Sequence, residues 1–158
     1  AWIARIDADM DAALSQSQLS NLSIRERIRR LVQFRLDALA GKEEALRRAL
    51  AIMAMPQNAA AATRLGWSSA DKMWRLAGDA ATDYNHYTKR LTLGAIYAAT
   101  LSVYANDSSE DHADARAFLD RRIENVMQFE KAKAKVLKPR GETFSFTRLL
   151  GRLRYPAV

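Results

Sequence analysis

The side chains best placed to do chemistry are Asp79, Asp83 and His86, with Arg90 beyond them. A helix that begins early enough puts all four on one face. Two carboxylates and an imidazole at such spacing could hold a metal or pass a proton. The same residues fit a capping and ion-pair cluster at a helix start, and that reading is preferred. No other stretch offers more: there is no glycine-rich phosphate loop, no HExxH, no ExxH pair for a di-iron bundle and no Ser-His-Asp spacing. With two histidines and no cysteine there is little scope for metal or acid-base work, and disulfides, thiol nucleophiles and thiolate sites are excluded. The expectation is a protein that is not an enzyme and carries no cofactor.

A second group of residues suggests binding. Met53, Met55 and Met73 lie near Trp67 and Trp74, and flexible thioethers beside aromatic rings can line a pocket for an apolar ligand, although they also fill ordinary cores.

The elements that must position these residues are helical. The stretch from Trp67 to Tyr104 holds two of the three tryptophans and four of the five tyrosines. Within it, Leu91 to Ala105 carries no charge, and its apolar residues surround a helical wheel, which predicts a central helix buried on all sides. The run reaches only about 22 Å against a hydrocarbon layer of roughly 30 Å, so no transmembrane span is expected. Trp2, Ile3, Ile6, Met10, Ala13 and Leu14 predict a first helix ending near Leu19-Ser20-Asn21. Ser23 with Glu26 forms a capping-box pattern ahead of an apolar stripe through Ile24, Ile28, Leu31, Val32, Leu36 and Leu39 that stops before Gly41. Arginines 25, 27, 29, 30 and 35 on this helix are read as a solvated face rather than a nucleic-acid or phosphate surface. A third helix runs from about Lys42 to Met55, before Pro56. The alanines from 59 to 62 predict a short helix, and Ser68 with Asp71 predicts the start of a separate one ending at Gly78. A final helix capped by Ser108 and Asp111 continues to Pro139.

The run Asp71-Lys-Met-Trp74, then Ala77-Gly78-Asp79, then Thr82 to Arg90, followed by the uncharged helix, resembles the ubiquinone-biosynthesis accessory family called Coq nine. Met55-Pro56-Gln57-Asn58 upstream and Phe118 to Met127 downstream agree in order. The resemblance covers roughly Leu46 to Met127. It implies an all-α, TetR-regulator-like ligand-binding bundle, here without the helix-turn-helix part, whose cavity takes isoprenoid quinone intermediates or phospholipid. It implies a non-catalytic protein that presents those intermediates to the pathway's membrane-associated di-iron hydroxylase. On this basis the lipid pocket is expected at Met53, Met55, Leu93, Gly94, Tyr97 and Leu101, and hydroxylase docking at Asp71, Met73 and Trp74. Arg75, Leu76, Ala81 and His86 depart from the family pattern around the docking helix. A homodimer is expected, with no nucleic acid bound. The competing function is the effector-binding domain of a TetR-type transcription regulator.

The chain has 158 residues, 49% of them hydrophobic, and a net charge of +7. That suffices for one cored domain. Up to Glu130 there are seventeen basic and seventeen acidic residues, while Lys131 to Val158 holds eight basic residues against Glu142. A neutral body with a basic tail suits an anionic membrane surface better than nucleic acid. The expected division is a helical lipid-binding domain over 1–140 and a basic amphipathic segment over 141–158. In the latter, Phe146, Leu149, Leu150 and Leu153 would face lipid with Arg148 and Arg152 opposite. The expected location is cytoplasmic and peripheral on the inner membrane in a bacterium, or the matrix face in a mitochondrion. Because Ala1 already lies in a helical pattern, the chain is expected to be a fragment or a processed form.

Overall fold

A computed structural model describes residues 2–79 and 84–137, and these are helical, with no strand among the described residues. The all-α expectation holds. Residues 1–124 form one compact unit, and 125–158 form a second.

Helix α1 spans Trp2–Ala13 and a one-turn helix α2 spans Gln16–Leu19. The first helix thus ends earlier than its apolar period suggested, because Ser15 opens α2: its backbone N–H donates to Gln18 Oε1 at 3.0 Å. Helix α3 (Ile24–Asp37) begins as predicted, with Ser23 Oγ accepting the Glu26 N–H at 3.3 Å. It buries Ile28, Leu31, Val32, Arg35 and Leu36. Helix α4 (Glu43–Met53) follows Gly41, whose φ of 74° only glycine adopts freely. It ends before a 3₁₀ turn at Pro56–Asn58, where the Asn58 amide donates to the Ile52 carbonyl at 2.8 Å.

Helix α5 is continuous over Ala59–Leu76 and merges the two helices predicted there. The Ser68 and Asp71 pattern therefore does not start a helix, and Ser68 sits exposed in its middle. Gly66 is too weak a breaker to interrupt a helix that buries Ser69, Ala70 and Met73. At its end Gly78 takes φ 88°, the left-handed position after a helix terminus.

Helix α6 (Tyr84–Asn106) packs on α5, α4 and α3, while α1 lies on α3 and α5. It is not buried on every side. Leu93, Tyr97, Thr100, Tyr104 and Ala105 face the core, but Leu91 is 59% exposed and Ala95, Ala98 and Ala99 face outward. Alanine and threonine blur the polar face of a wheel without requiring burial.

Helix α7 (Ala113–Leu137) is reached through a 3₁₀ turn at Glu110–His112. The cap differs from the predicted pair: Asp107 is the acceptor, receiving the Ser109 and Ala115 N–H groups at 2.8 Å each. Within the first unit α7 buries Ala115, Leu119 and Ile123 and runs antiparallel to α3, held by Asp37–Arg116, Arg29–Asp120 and Arg25–Glu124 pairs.

Candidate lipid-binding site

Arg30, 53% exposed beside Glu26, lies on the solvated face expected of the α3 arginines, but Arg27, Arg29 and Arg35 do not. Arg27 donates to the carbonyls of Leu22, Ser20 and Ala77 at 2.7–2.8 Å, tying α3 to the end of α5. Arg29 bridges Glu26 and Asp120, and Arg35 is 1% exposed. Each has a structural partner, so Glu26 alone was a poor guide to where they point.

Helices α5 and α6 meet at Gly66 and Gly94. A Cβ on Gly94 would lie 3.4 Å from the Gly66 carbonyl oxygen. Beside this contact, a cavity of about 200 Å³ opens between α1, α3, α4, α5 and α6. Its wall is almost wholly apolar. Trp2, Ile3 and Ile6 come from α1, Leu46, Leu50 and Met53 from α4, Leu65 and Gly66 from α5, and Gly94, Tyr97 and Leu101 from α6. Leu65 and Ala98 are wall residues exposed to solvent, which marks the mouth. A second depression shares Ala62, Gly66, Gly94 and Ala98 with the cavity and is also lined by Trp67, Arg90 and Leu91.

Of the residues expected to line a pocket, Met53, Gly94, Tyr97 and Leu101 meet around the first, apolar cavity. Met55 and Leu93 do not. Met55 is 44% exposed past the α4 terminus, and Leu93 is a buried core residue one turn before Tyr97 that does not reach the cavity wall. The period of an isolated helix does not say which of its apolar faces borders a void. The α1 contribution was missed, as was Arg35, which supplies with Ser69 and Tyr97 the polar corner of an otherwise apolar wall. Arg35 Nε donates to the Tyr97 hydroxyl at 3.1 Å and its Nη2 to Ser69 Oγ at 2.9 Å, while Nη1 pairs with Asp7.

Of the Asp79, Asp83, His86 and Arg90 group, Asp79 and Arg90 belong to an ion-pair network, the reading preferred from the sequence. Arg90, 2% exposed, donates from Nε to Asp71 at 2.6 Å and from Nη1 to Asp79 at 3.1 Å. Lys89 reaches the other oxygen of Asp79 at 2.7 Å. Asp83 lies outside the described residues. His86 packs by its ring near Trp67 and Tyr87, and no group of metal-capable side chains is found among the described residues.

Burial by itself would raise the Asp71 and Asp79 pKa values. Hydrogen bonds and charge from Arg90 with Arg75 at Asp71, and from Lys89 with Arg90 at Asp79, outweigh it and hold both below the ordinary carboxylate value. The stability these pairs confer is therefore complete above the unfolded-state pKa of about 3.9 and is lost as pH falls through the lower folded values. Thermal unfolding should accordingly show a steeper loss of melting temperature below about pH 4 in the native chain than in an Asp71→Asn, Asp79→Asn variant. Equal slopes would show that the network does not contribute.

Among the expected docking residues, Met73 has no exposed surface, so only Asp71 and Trp74 reach solvent. Trp74 is half-buried: its indole donates to the Lys89 carbonyl at 3.0 Å, and the Lys89 ammonium sits 5.3 Å from its ring centroid. The proposed membrane residues Phe146, Arg148, Leu149, Leu150, Arg152 and Leu153 lie outside the described residues.

The family profile for COQ9 matches residues 59–130, which contain α5, the Arg90 network, all of α6 and most of α7. Proteins called "Ubiquinone biosynthesis protein COQ9, mitochondrial" from Rattus norvegicus and Homo sapiens are 42% and 40% identical over 115 residues, 73% of this chain. The chain belongs to the COQ9 family. The "Probable ubiquinone biosynthesis protein coq9, mitochondrial" of Dictyostelium discoideum is 28% identical over 136 residues, 85% of the chain and 44% of that protein. Against the rat and human COQ9 proteins the chain spans 36% of their length. No helix among the described residues is long and apolar enough to cross a membrane.

Proposed function

We propose that this chain is the lipid-binding part of a non-catalytic accessory protein of ubiquinone biosynthesis, with a TetR-like ligand-binding fold. It holds an isoprenoid quinone intermediate and presents it to the di-iron hydroxylase, working as a dimer at an anionic membrane surface. The observation that carries this reading is the apolar cavity bounded by Met53, Gly94, Tyr97 and Leu101, to which the COQ9-family segment contributes the α5 and α6 wall. A dry apolar cavity of about 150 Å³ is enough to hold benzene, so about 200 Å³ takes one end of a prenylated molecule and leaves the rest at the mouth. Of the three expected docking residues, Asp71 and Trp74 reach solvent and offer the hydroxylase a mixed polar and aromatic contact.

Native mass spectrometry of the purified protein, followed by extraction, should find an isoprenoid lipid bound. Gly94→Leu should reduce lipid uptake at least tenfold, because its side chain must enter the cavity beside the Gly66 carbonyl, at a stability cost of about 1–3 kcal/mol. Gly94→Ala places its Cβ at ordinary contact distance and should keep uptake. Failure of the native protein to bind lipid or any apolar probe overturns the reading.

A further inference from the structure

The polar corner of the cavity holds two hydroxyls that accept from Arg35 and keep their own protons to give. Arg35, Ser69 and Tyr97 are each more than nine-tenths buried and all three contribute to the wall. A hydroxyl has one proton to give and lone pairs to receive. At both Ser69 and Tyr97 the lone pairs receive an Arg35 N–H, at 2.9 and 3.1 Å. Neither hydroxyl donates its own proton to any group among the hydrogen bonds of the described residues. A buried donor left without an acceptor costs free energy, and an acceptor on a ligand removes that cost. The guanidinium behind the two hydroxyls polarises them toward donation.

The charge of the acceptor is also constrained. Asp7 already neutralises Arg35, so an incoming carboxylate would surrender its hydration without finding an unmatched cation. A neutral oxygen carries no such penalty.

We infer that the Arg35, Ser69 and Tyr97 corner is the head-group seat of the cavity, selecting apolar ligands that carry a neutral carbonyl oxygen, as in a ketone or quinone. The inference rests on the lipid-binding reading and adds to it an orientation, with the carbonyl inward at Tyr97 and Ser69 and the hydrocarbon toward Leu65 and Ala98 at the mouth. Tyr97 and Ser69 become the specificity-determining residues.

Titration calorimetry of the full chain with three probes of one isoprenoid skeleton, a ketone, the matching hydrocarbon and the matching carboxylate, tests it. The ketone should bind about tenfold more tightly than the hydrocarbon, the amount expected of one or two neutral hydrogen bonds. In Tyr97→Phe and in Ser69→Ala that ratio should fall toward one while hydrocarbon affinity stays within about threefold, and the two variants are independent, so loss of folding in one leaves the other to decide. A native protein that binds ketone and hydrocarbon equally, or a ketone preference that survives both substitutions, overturns the seat and leaves the lipid-binding reading standing. Tightest binding by the carboxylate overturns the neutral-carbonyl selection. Binding of none of the three probes overturns both.

Discussion

Arg90→Met should lower the unfolding free energy by about 3–5 kcal/mol in urea denaturation, a loss large enough to leave a domain of this size partly unfolded at ordinary temperature. The native guanidinium is 2% exposed and is shared between two carboxylates from the end of α5 and the turn beyond it. Methionine fills much of the same volume, so little of the cost comes from packing. It comes from Asp79, whose side chain is 6% exposed and which would keep Lys89, and from Asp71, which would keep its α5 neighbour Arg75. Arg90→Lys retains the charge but cannot fork to both acids, and should cost about half as much. A loss below about 1 kcal/mol in the methionine variant would mean that the two carboxylates regain water easily and that the network is peripheral to stability.

The arrangement of these residues explains which parts of the molecule could be read from sequence. The Ser23 cap, the glycines at 41 and 78 and the stop before Pro56 were legible because each rests on one residue whose backbone chemistry admits few alternatives. The continuity of α5 was not, because Ser68 and Asp71 have the same spacing whether they open a helix or lie within one. Arg35 and Arg90 were misplaced or half-placed for a different reason. Arg35 stands in register with Ile28, Val32 and Leu39, and Arg90 with Leu93, Tyr97 and Tyr104, so position put both on apolar faces while residue type argued for solvent. An arginine in the middle of an apolar stripe was the available signal for a buried polar network. The cavity itself has no signature in any single helix. Its wall needs α1, α3, α4, α5 and α6 together; the methionine and tryptophan cluster pointed to Met53, but Gly94, Tyr97 and Leu101 could be proposed only because the family resemblance supplied the expectation of a ligand.

Arg35→Met should also be destabilising, by about 3 kcal/mol, toward the lower end of the range for breaking a buried pair. Asp7 keeps 21% of its side chain exposed and can recover part of its hydration, which Asp79 cannot. The remainder of the loss falls on Tyr97 and Ser69, whose lone pairs lose their donor inside the wall. Because the charge that Arg35 neutralises belongs to one residue, a double-mutant cycle can separate the terms. Asp7→Leu in the Arg35→Met background should restore about 1–2 kcal/mol by removing the stranded carboxylate, whereas Asp7→Leu alone should destabilise by leaving the guanidinium buried without its counter-charge. Simple additivity of the two substitutions in thermal or urea unfolding would show that α1 and α3 are held together by Ile6 and Met10 packing on Leu31 and its neighbours, with the ion pair contributing little.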